Sequence, residues 1–277
     1  MAWKAAAPAL LFCLSLTFLP PPVLAEGGFP PAFIAIIIDD LGERHDDGLR
    51  ATRLPGEITC SILPHVAWTE LMARECRQRD REIMLHMPME ATEARNPGPG
   101  ALYADMDRPT VIRALRSALA AVPDARGVNN HMGSRFTRDP LRMGWVMHEL
   151  VQTGDLYFID SRTNHETVAA MRAAEYQLPH ASRHVFLDHD PDPTAVEAQF
   201  RELLLHAFRN GTAIGIGHPY PSTLELLERM LPRLELINVH LVSVSNLLAL
   251  KAEQQRSPQQ WQASWSPSQR AVKSSKQ

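Results

Sequence analysis

A chain of 277 residues, 45% hydrophobic and 21% charged, has neither the composition of a disordered segment nor that of a fibrous protein. Its formal charge of −3, with no basic block, argues against a nucleic-acid or anionic-membrane partner. Three cysteines, none in a zinc-finger spacing, leave no disulfide-rich or zinc-ribbon class open.

The first 25 residues read as an export signal. Lys4 supplies a positive start, Ala9 to Leu19 is apolar but too short to span a bilayer, and Val23-Leu24-Ala25 offers a cleavage site. The mature chain is expected to begin near Glu26, in the periplasm or outside the cell. No later stretch reads as a membrane span. Removing Lys4 takes the net charge to −4. One domain is expected over 26–250, with 251–277, rich in Gln, Ser, Pro and Lys, as a disordered tail. Cys13 leaves with the leader, while Cys60 and Cys76 can pair or stand as two buried thiols.

From Phe33 onward, short apolar runs alternate with helical stretches. The runs are Phe33–Ile38, Ile58–Leu63, Glu82–His86, Gly127–Asn130, Leu156–Asp160, His184–Asp188, Thr212–Gly217 and Asn238–Val242. Between them, Thr69–Arg79, Thr110–Ala121, Pro140–Thr153, Thr163–Glu175, Ala195–Arg209 and Ser222–Leu231 carry apolar residues near helical spacing. Unbroken runs such as Ala35-Ile36-Ile37-Ile38 are strands covered on both faces, so the alternation predicts right-handed βαβ units in a barrel or doubly wound sheet. Asn96-Pro97-Gly98-Pro99-Gly100 marks a long surface loop.

The residues that end these runs carry the chemistry. They are Asp39-Asp40, Pro64-His65, His86, His131, Asp160, Asp188-His189 and Gly217-His218. In a parallel sheet all of them project from one rim, where such folds place their sites. Adjacent Asp39 and Asp40 repel unless a cation or shared proton offsets them. His45, His148, His165, His180, His184, His206 and His240 do not end runs and read as surface or helix residues.

From Ile34 to Leu248 the chain resembles the divergent polysaccharide deacetylases, a branch of the NodB-type carbohydrate esterases. Ile36-Ile37-Ile38-Asp39-Asp40 matches the family's first motif, which implies Asp39 as catalytic base and Asp40 as metal ligand. Glu82 to Glu90 matches the second, a His-x-x-x-His, with Glu90 in place of the second His. Val128-Asn129-Asn130-His131-Met132-Gly133-Ser134 replaces the ordinary Arg-Pro motif, Asp160-Ser161-Arg162 occupies the fourth, and Gly215-Ile216-Gly217-His218 fits the fifth. The resemblance implies a distorted (β/α)7-type barrel and a divalent metal, expected to be Zn²⁺, on Asp40, His86 and His131. Glu90 is the alternative ligand, disfavoured because Met87-Pro88-Met89 should break regular geometry before it.

The implied reaction is hydrolytic removal of acetyl from N- or O-acetylated sugars by metal-activated water. Asp39 would take a proton and His218 give one, with Asp160 or Asp188 orienting His218. Arg135 or Arg162 would replace the missing arginine beside the base. The altered second and third motifs leave a further reading: a degenerate barrel that binds glycan or an envelope partner without turnover.

Overall fold

The computed structural model describes residues 31–256. The expected leader, and the tail beyond Arg256 with Trp261 and Trp265, lie outside the described residues.

In chain order the elements are β1 (Ala32–Leu41), α1 (His45–Thr52), β2 (Thr59–Ile62), α2 (Thr69–Gln78), β3 (Glu82–Met89), α3 (Arg108–Ala121), β4 (Ala125–Met132), α4 (Pro140–Thr153) and β5 (Tyr157–Asp160). Then come α5 (Ala169–Glu175), β6 (His180–Ser182), β7 (Val185–Phe186), α6 (Pro193–Asn210), β8 (Thr212–Gly217), α7 (Pro221–Met230), β9 (Val239–Leu241) and α8 (Val244–Arg256). Every strand pairing is parallel, in the order β6-β5-β4-β3-β2-β1-β8-β7, with β9 also on β1. The sheet curls into a distorted (β/α) barrel with a seam, since among the described residues no ladder joins β6 to β7.

Alternation along the strands divides the core in two. Ile34, Ile36 and Ile38 face the helical layer, packed in one large cluster with Leu115, Met147 and Leu203. Ala35, Ile37, Met84, Ile159, Ile214 and Ile216 face inward, where α8 closes the barrel floor with Val244 and Leu247. Period-two alternation thus holds along β1 as far as Ile38 and along β3, β5 and β8, even though both faces are apolar. Helix starts are set by local chemistry. Asp107, Asp139 and Asp192 each accept backbone amides of the first turn, with proline at its first or second position.

Several boundaries differ from the sequence expectation. The strand at Glu82 continues through Pro88 to Met89, because β3 runs on past its pairing with β2, which ends at Leu85. The Pro88 carbonyl accepts from Leu102 on that free edge, so the missing proline amide leaves no ladder partner unmet. The helix expected from Thr163 starts at Ala169. Thr163 Oγ1 instead donates to the Met132 carbonyl and Asn164 Oδ1 accepts from the Glu166 amide, side-chain bonds that compete with a helix. α8 runs from Val244 to Arg256, across the boundary expected at 250.

Cys60 on β2 and Cys76 on α2 form a disulfide with 6.7 Å between their Cα atoms. It closes a sequence separation of 16 residues, which the chain-entropy model values at about 3 kcal/mol. Replacing both cysteines by alanine is expected to lower stability by about 2–4 kcal/mol in urea unfolding. Reductant should destabilise the parent chain and leave the double variant unmoved; equal response of the two would refute the pairing.

Candidate metal centre

The barrel mouth is built from side chains that continue the inward columns of the strands. Ile37 is followed two residues later by Asp39, Met84 by His86, and Ile216 by His218; Asn129 and His131 share the same parity on β4. Asp40 should by alternation face outward. A one-residue bulge corrects this: β1 advances from Ile38 to Leu41 while β2 advances only from Cys60 to Ile62. Within that bulge Asp40 takes a left-handed conformation, φ 58°, and its carboxylate turns to the same mouth as Asp39.

There three ligand-type atoms meet. Asp40 Oδ1 lies 2.9 Å from His131 Nδ1 and 3.2 Å from His86 Nε2, and the two nitrogens are 3.1 Å apart. Asp40 Oδ1 is nonetheless a buried oxygen without an aligned hydrogen bond. Three lone-pair atoms at such spacing approach the edges of a tetrahedral face, about 3.3 Å for bonds of 2.0–2.1 Å, so the donor set fits a divalent cation. Burial pushes the Asp40 carboxyl up, but the close approach of the His131 and His86 imidazoles outweighs it and holds it well below the usual carboxylate range.

The surroundings fix which atoms face inward. His86 Nδ1 lies 2.7 Å from Asn129 Oδ1, an acceptor, so Nδ1 carries the proton and the Nε2 lone pair points to the mouth. Asn129 also donates from Nδ2 to Asp39 Oδ1 at 2.8 Å and receives Ser61 Oγ at 2.9 Å. One buried amide therefore orients both the imidazole and the neighbouring carboxylate. Sequence reading of strand endings passes over Asn129 because it lies inside β4. Its parity with His131 is the signal that would have found it.

His218 stands across the mouth, its Nε2 3.7 Å from Asp40 Oδ2. Its Nδ1 and backbone amide both meet the Asp188 carboxylate, at 2.9 and 2.6 Å, and Thr223 Oγ1 donates to the same group. Burial lowers the His218 pKa, but the Asp188 hydrogen bond and the Asp40, Asp188 and Asp39 charges raise it to about 9. The ring sits between Phe186 and Tyr220.

Of the two carboxylates expected to orient His218, Asp188 does so. Asp160 does not: Ile159 takes the inward position, so the next residue turns to the helical layer. There Asp160 accepts from the Arg162 amide and Thr167 Oγ1. Glu90 is also elsewhere, held by the Ala104 amide and the Arg135 guanidinium. That pair occupies Arg135, so the cations near the mouth are Arg162 and Arg183, the latter close enough to feel the Asp39 charge. His65, an expected rim residue, is exposed and contacts Ser117. His184 and His206, read as peripheral, line the cleft that extends from the mouth, a cavity of about 850 Å³.

Residues 36–248 match the model of the divergent polysaccharide deacetylases. The chain belongs to that family. Among its relatives, an uncharacterised protein of Haemophilus influenzae is 35% identical over 222 residues, covering 79% of this chain and 78% of the relative. The uncharacterised Escherichia coli K12 protein YibQ is 34% identical over 215 residues, 78% of this chain and 67% of its own. A crystal structure of an uncharacterised Agrobacterium tumefaciens C58 protein shares the fold, with TM-score 0.76 at 24% identity over 79% of this chain and 89% of that one. Membership of the family thus rests on its model and on the two relatives, and the likeness to the Agrobacterium tumefaciens structure is one of fold.

Substituting alanine for Asp40, His86 or His131 is expected to abolish retention of one equivalent of Zn²⁺ after dialysis, because each removes one of three protein bonds. Asn129→Ala should weaken retention about 10–100-fold, as loss of a group orienting a ligand does. Glu90→Gln should retain the ion; loss there, with His131→Ala still loaded, would exchange the third ligand.

Proposed function

We propose that this protein is an exported, metal-dependent hydrolase that removes acetyl groups from N- or O-acetylated sugars. The observation that carries the reading is the triangle of Asp40 Oδ1, His86 Nε2 and His131 Nδ1, flanked at one mouth by Asp39 and a carboxylate-oriented His218. Family membership supports the substrate class.

A divalent metal on the triangle, with Zn²⁺ the expected ion, supplies Lewis-acid charge stabilisation and an acidified water. Asp39 is the general base: buried, anchored through Asn129, and turned to the same mouth, it takes the proton of the attacking water. Its position is fixed by the amide that orients His86, so base and ligand keep a constant separation. His218 is the general acid. Against burial, the hydrogen bond and charge of Asp188 raise its pKa and favour the protonated ring, with Nδ1–H on Asp188 and Nε2–H toward the mouth. As the water oxygen bonds to the acyl carbon and the C–N or C–O bond breaks, His218 gives its Nε2 proton to the leaving nitrogen or oxygen. Asp188 acts through His218, holding the tautomer and stabilising the cation before transfer.

Asp39→Asn and His218→Asn are each expected to keep Zn²⁺ while cutting acetate release from an acetylated amino-sugar oligomer by about 10²–10⁴-fold. A wild-type chain that holds one metal yet releases acetate from no acetylated sugar or ester is instead a glycan-binding barrel.

Export is supported by the leader pattern and by the Cys60–Cys76 disulfide, a bond that persists in oxidising compartments. Protein recovered from the periplasm should have an amino terminus close to Glu26. Soluble protein retaining Met1 would end that reading.

A further inference from the structure

Beyond the metal triangle, the cleft runs along the seam of the barrel, and its wall there is cationic. Arg162 follows β5, Arg183 lies in the seam between β6 and β7, and Arg95 approaches from the long loop after β3. Among the described residues none of these three guanidinium groups lies within 4.0 Å of a carboxylate oxygen. Most of the other arginines that the fold orders carry such a partner, Arg50, Arg77, Arg116 and Arg138 among them.

Arg183 is held in place without being neutralised. Its Nε donates to the Ser161 carbonyl at 2.7 Å and its Nη2 to the Arg162 carbonyl at 3.0 Å, while its guanidinium carbon lies 4.9 Å from the Phe186 ring centroid. Burial lowers its pKa first and the Arg162 charge lowers it further, with the Asp39 and Asp160 charges offsetting only part of this, so the two cations still repel across this part of the cleft. Beside them Ser161 Oγ is buried without a hydrogen-bond partner, although the Ser161 amide is anchored on Asn130 Oδ1 at 2.9 Å. Two cations kept together, with an unpaired hydroxyl between cleft and backbone, cost free energy unless an acceptor with negative charge meets them. Of the carboxylates in the lining, Asp39 is bound by Asn129, and Glu202 faces Arg209 at 3.9 Å.

We infer that the cleft binds an acylated glycan carrying an anionic substituent, a carboxylate or phosphate, seated on Arg162, Arg183 and Ser161 Oγ. Its distance from the acyl group follows from the register. β4 and β5 are neighbours with Asn129 opposite Ile159, which sets Ser161 one strand away from His131. One to two strand spacings, about 5–10 Å, separate the anion from the metal triangle, so it belongs to the acylated sugar or to the next one. This inference rests on the deacetylase reading for the position of the acyl group.

The test is calorimetric titration of the Zn²⁺-loaded mature chain with three tetrasaccharides of N-acetylglucosamine, each followed by measurement of acetate release. One is unsubstituted, one carries carboxyalkyl ethers on alternate sugars, and one carries phosphate esters there. A charged oligomer should bind about 10–100-fold more tightly than the neutral one, with the advantage shrinking as salt rises. Whichever charged oligomer leads identifies the anion. Arg162→Gln, a change at an exposed side chain, should lower the charged-to-neutral ratio about tenfold, and Arg162→Lys should restore part of it. Equal affinities, or a ratio untouched in Arg162→Gln, overturn the inference. If the neutral oligomer is then still deacetylated, the hydrolase reading survives alone. Selective, Arg162-dependent binding without acetate release from any oligomer leaves the anion site standing and removes the hydrolase reading. Binding of none removes both.

Discussion

The bulge in β1 is the constraint on which the site depends. A regular strand sends successive side chains to opposite faces, so Asp39 and Asp40 could not both reach the barrel mouth. The extra residue between Ile38 and Leu41, with Asp40 left-handed, brings both there. Bulges and left-handed non-glycine residues carry a local conformational cost, and Asp is among the residues that tolerate it best. The surrounding sheet over-determines this conformation. β1 is paired by β8 along one edge and by β9 and then β2 along the other, and its apolar residues are fully buried. Two adjacent carboxylates then have to be compensated at close range, by Asn129 on Asp39 and by His86, His131 and His218 around Asp40.

The open seam of the barrel has a functional counterpart. A closed ladder between β6 and β7 would tie up Arg183 and His184 in strand geometry and seal that side of the mouth. Instead the connection is held by side-chain bonds, Arg183 to the β5 end and His184 Nδ1 to the Ile214 amide. Accepting that amide leaves His184 neutral, and burial pushes its pKa down to about 4. At the floor Val244 and Leu247 of α8 pack on the inward apolar residues while Glu82 accepts from Thr59, Tyr157 and the Ser245 amide, and at the other end the strands open into the polar mouth. The cleft extends from the mouth, where His86 and His131 line it, along the seam to His184 and His206.

Much of this was legible in the sequence because parallel strands write themselves as continuous apolar runs. The run endings located the rim from order alone, and the family resemblance singled out Asp39-Asp40, His86, His131 and His218 among them. What the sequence hid was direction. Asp160 and Asp188 both follow apolar runs, yet Asp160 is paired with Ser182 on β6, whereas Phe186 is paired with Ile216 on β8, two residues before Asp188 and His218, and that register decides which reaches His218. Short elements were hidden too. β6 has three residues and α1 eight, too few for a periodicity to stand out, and their stability comes from tertiary neighbours. The disulfide could not be read from a pair of cysteines, since pairing depends on β2 and α2 packing side by side.

The position of Glu90 shows how a barrel can keep a three-atom cluster after one position of a linear motif changes. In register, His86 faces Asn129 and Pro88 faces His131 across the β3–β4 ladder. An imidazole two residues beyond Asn129 therefore rises on the inward column beside His86, one strand away, and reaches it at 3.1 Å. A side chain at position 90 lies past the end of β3, where the chain is bound to the long loop through the Leu102 and Ala104 backbone. Its carboxylate, paired with Arg135, closes that loop against the segment after β4. The two positions have thus divided the work: the neighbouring strand supplies the imidazole, and the residue at the motif's end fixes the rim. This arrangement puts the acceptor-rich side of the mouth on β1, β3 and β4, with His218, one residue past β8 on the other flank of β1, 3.7 Å from Asp40 Oδ2.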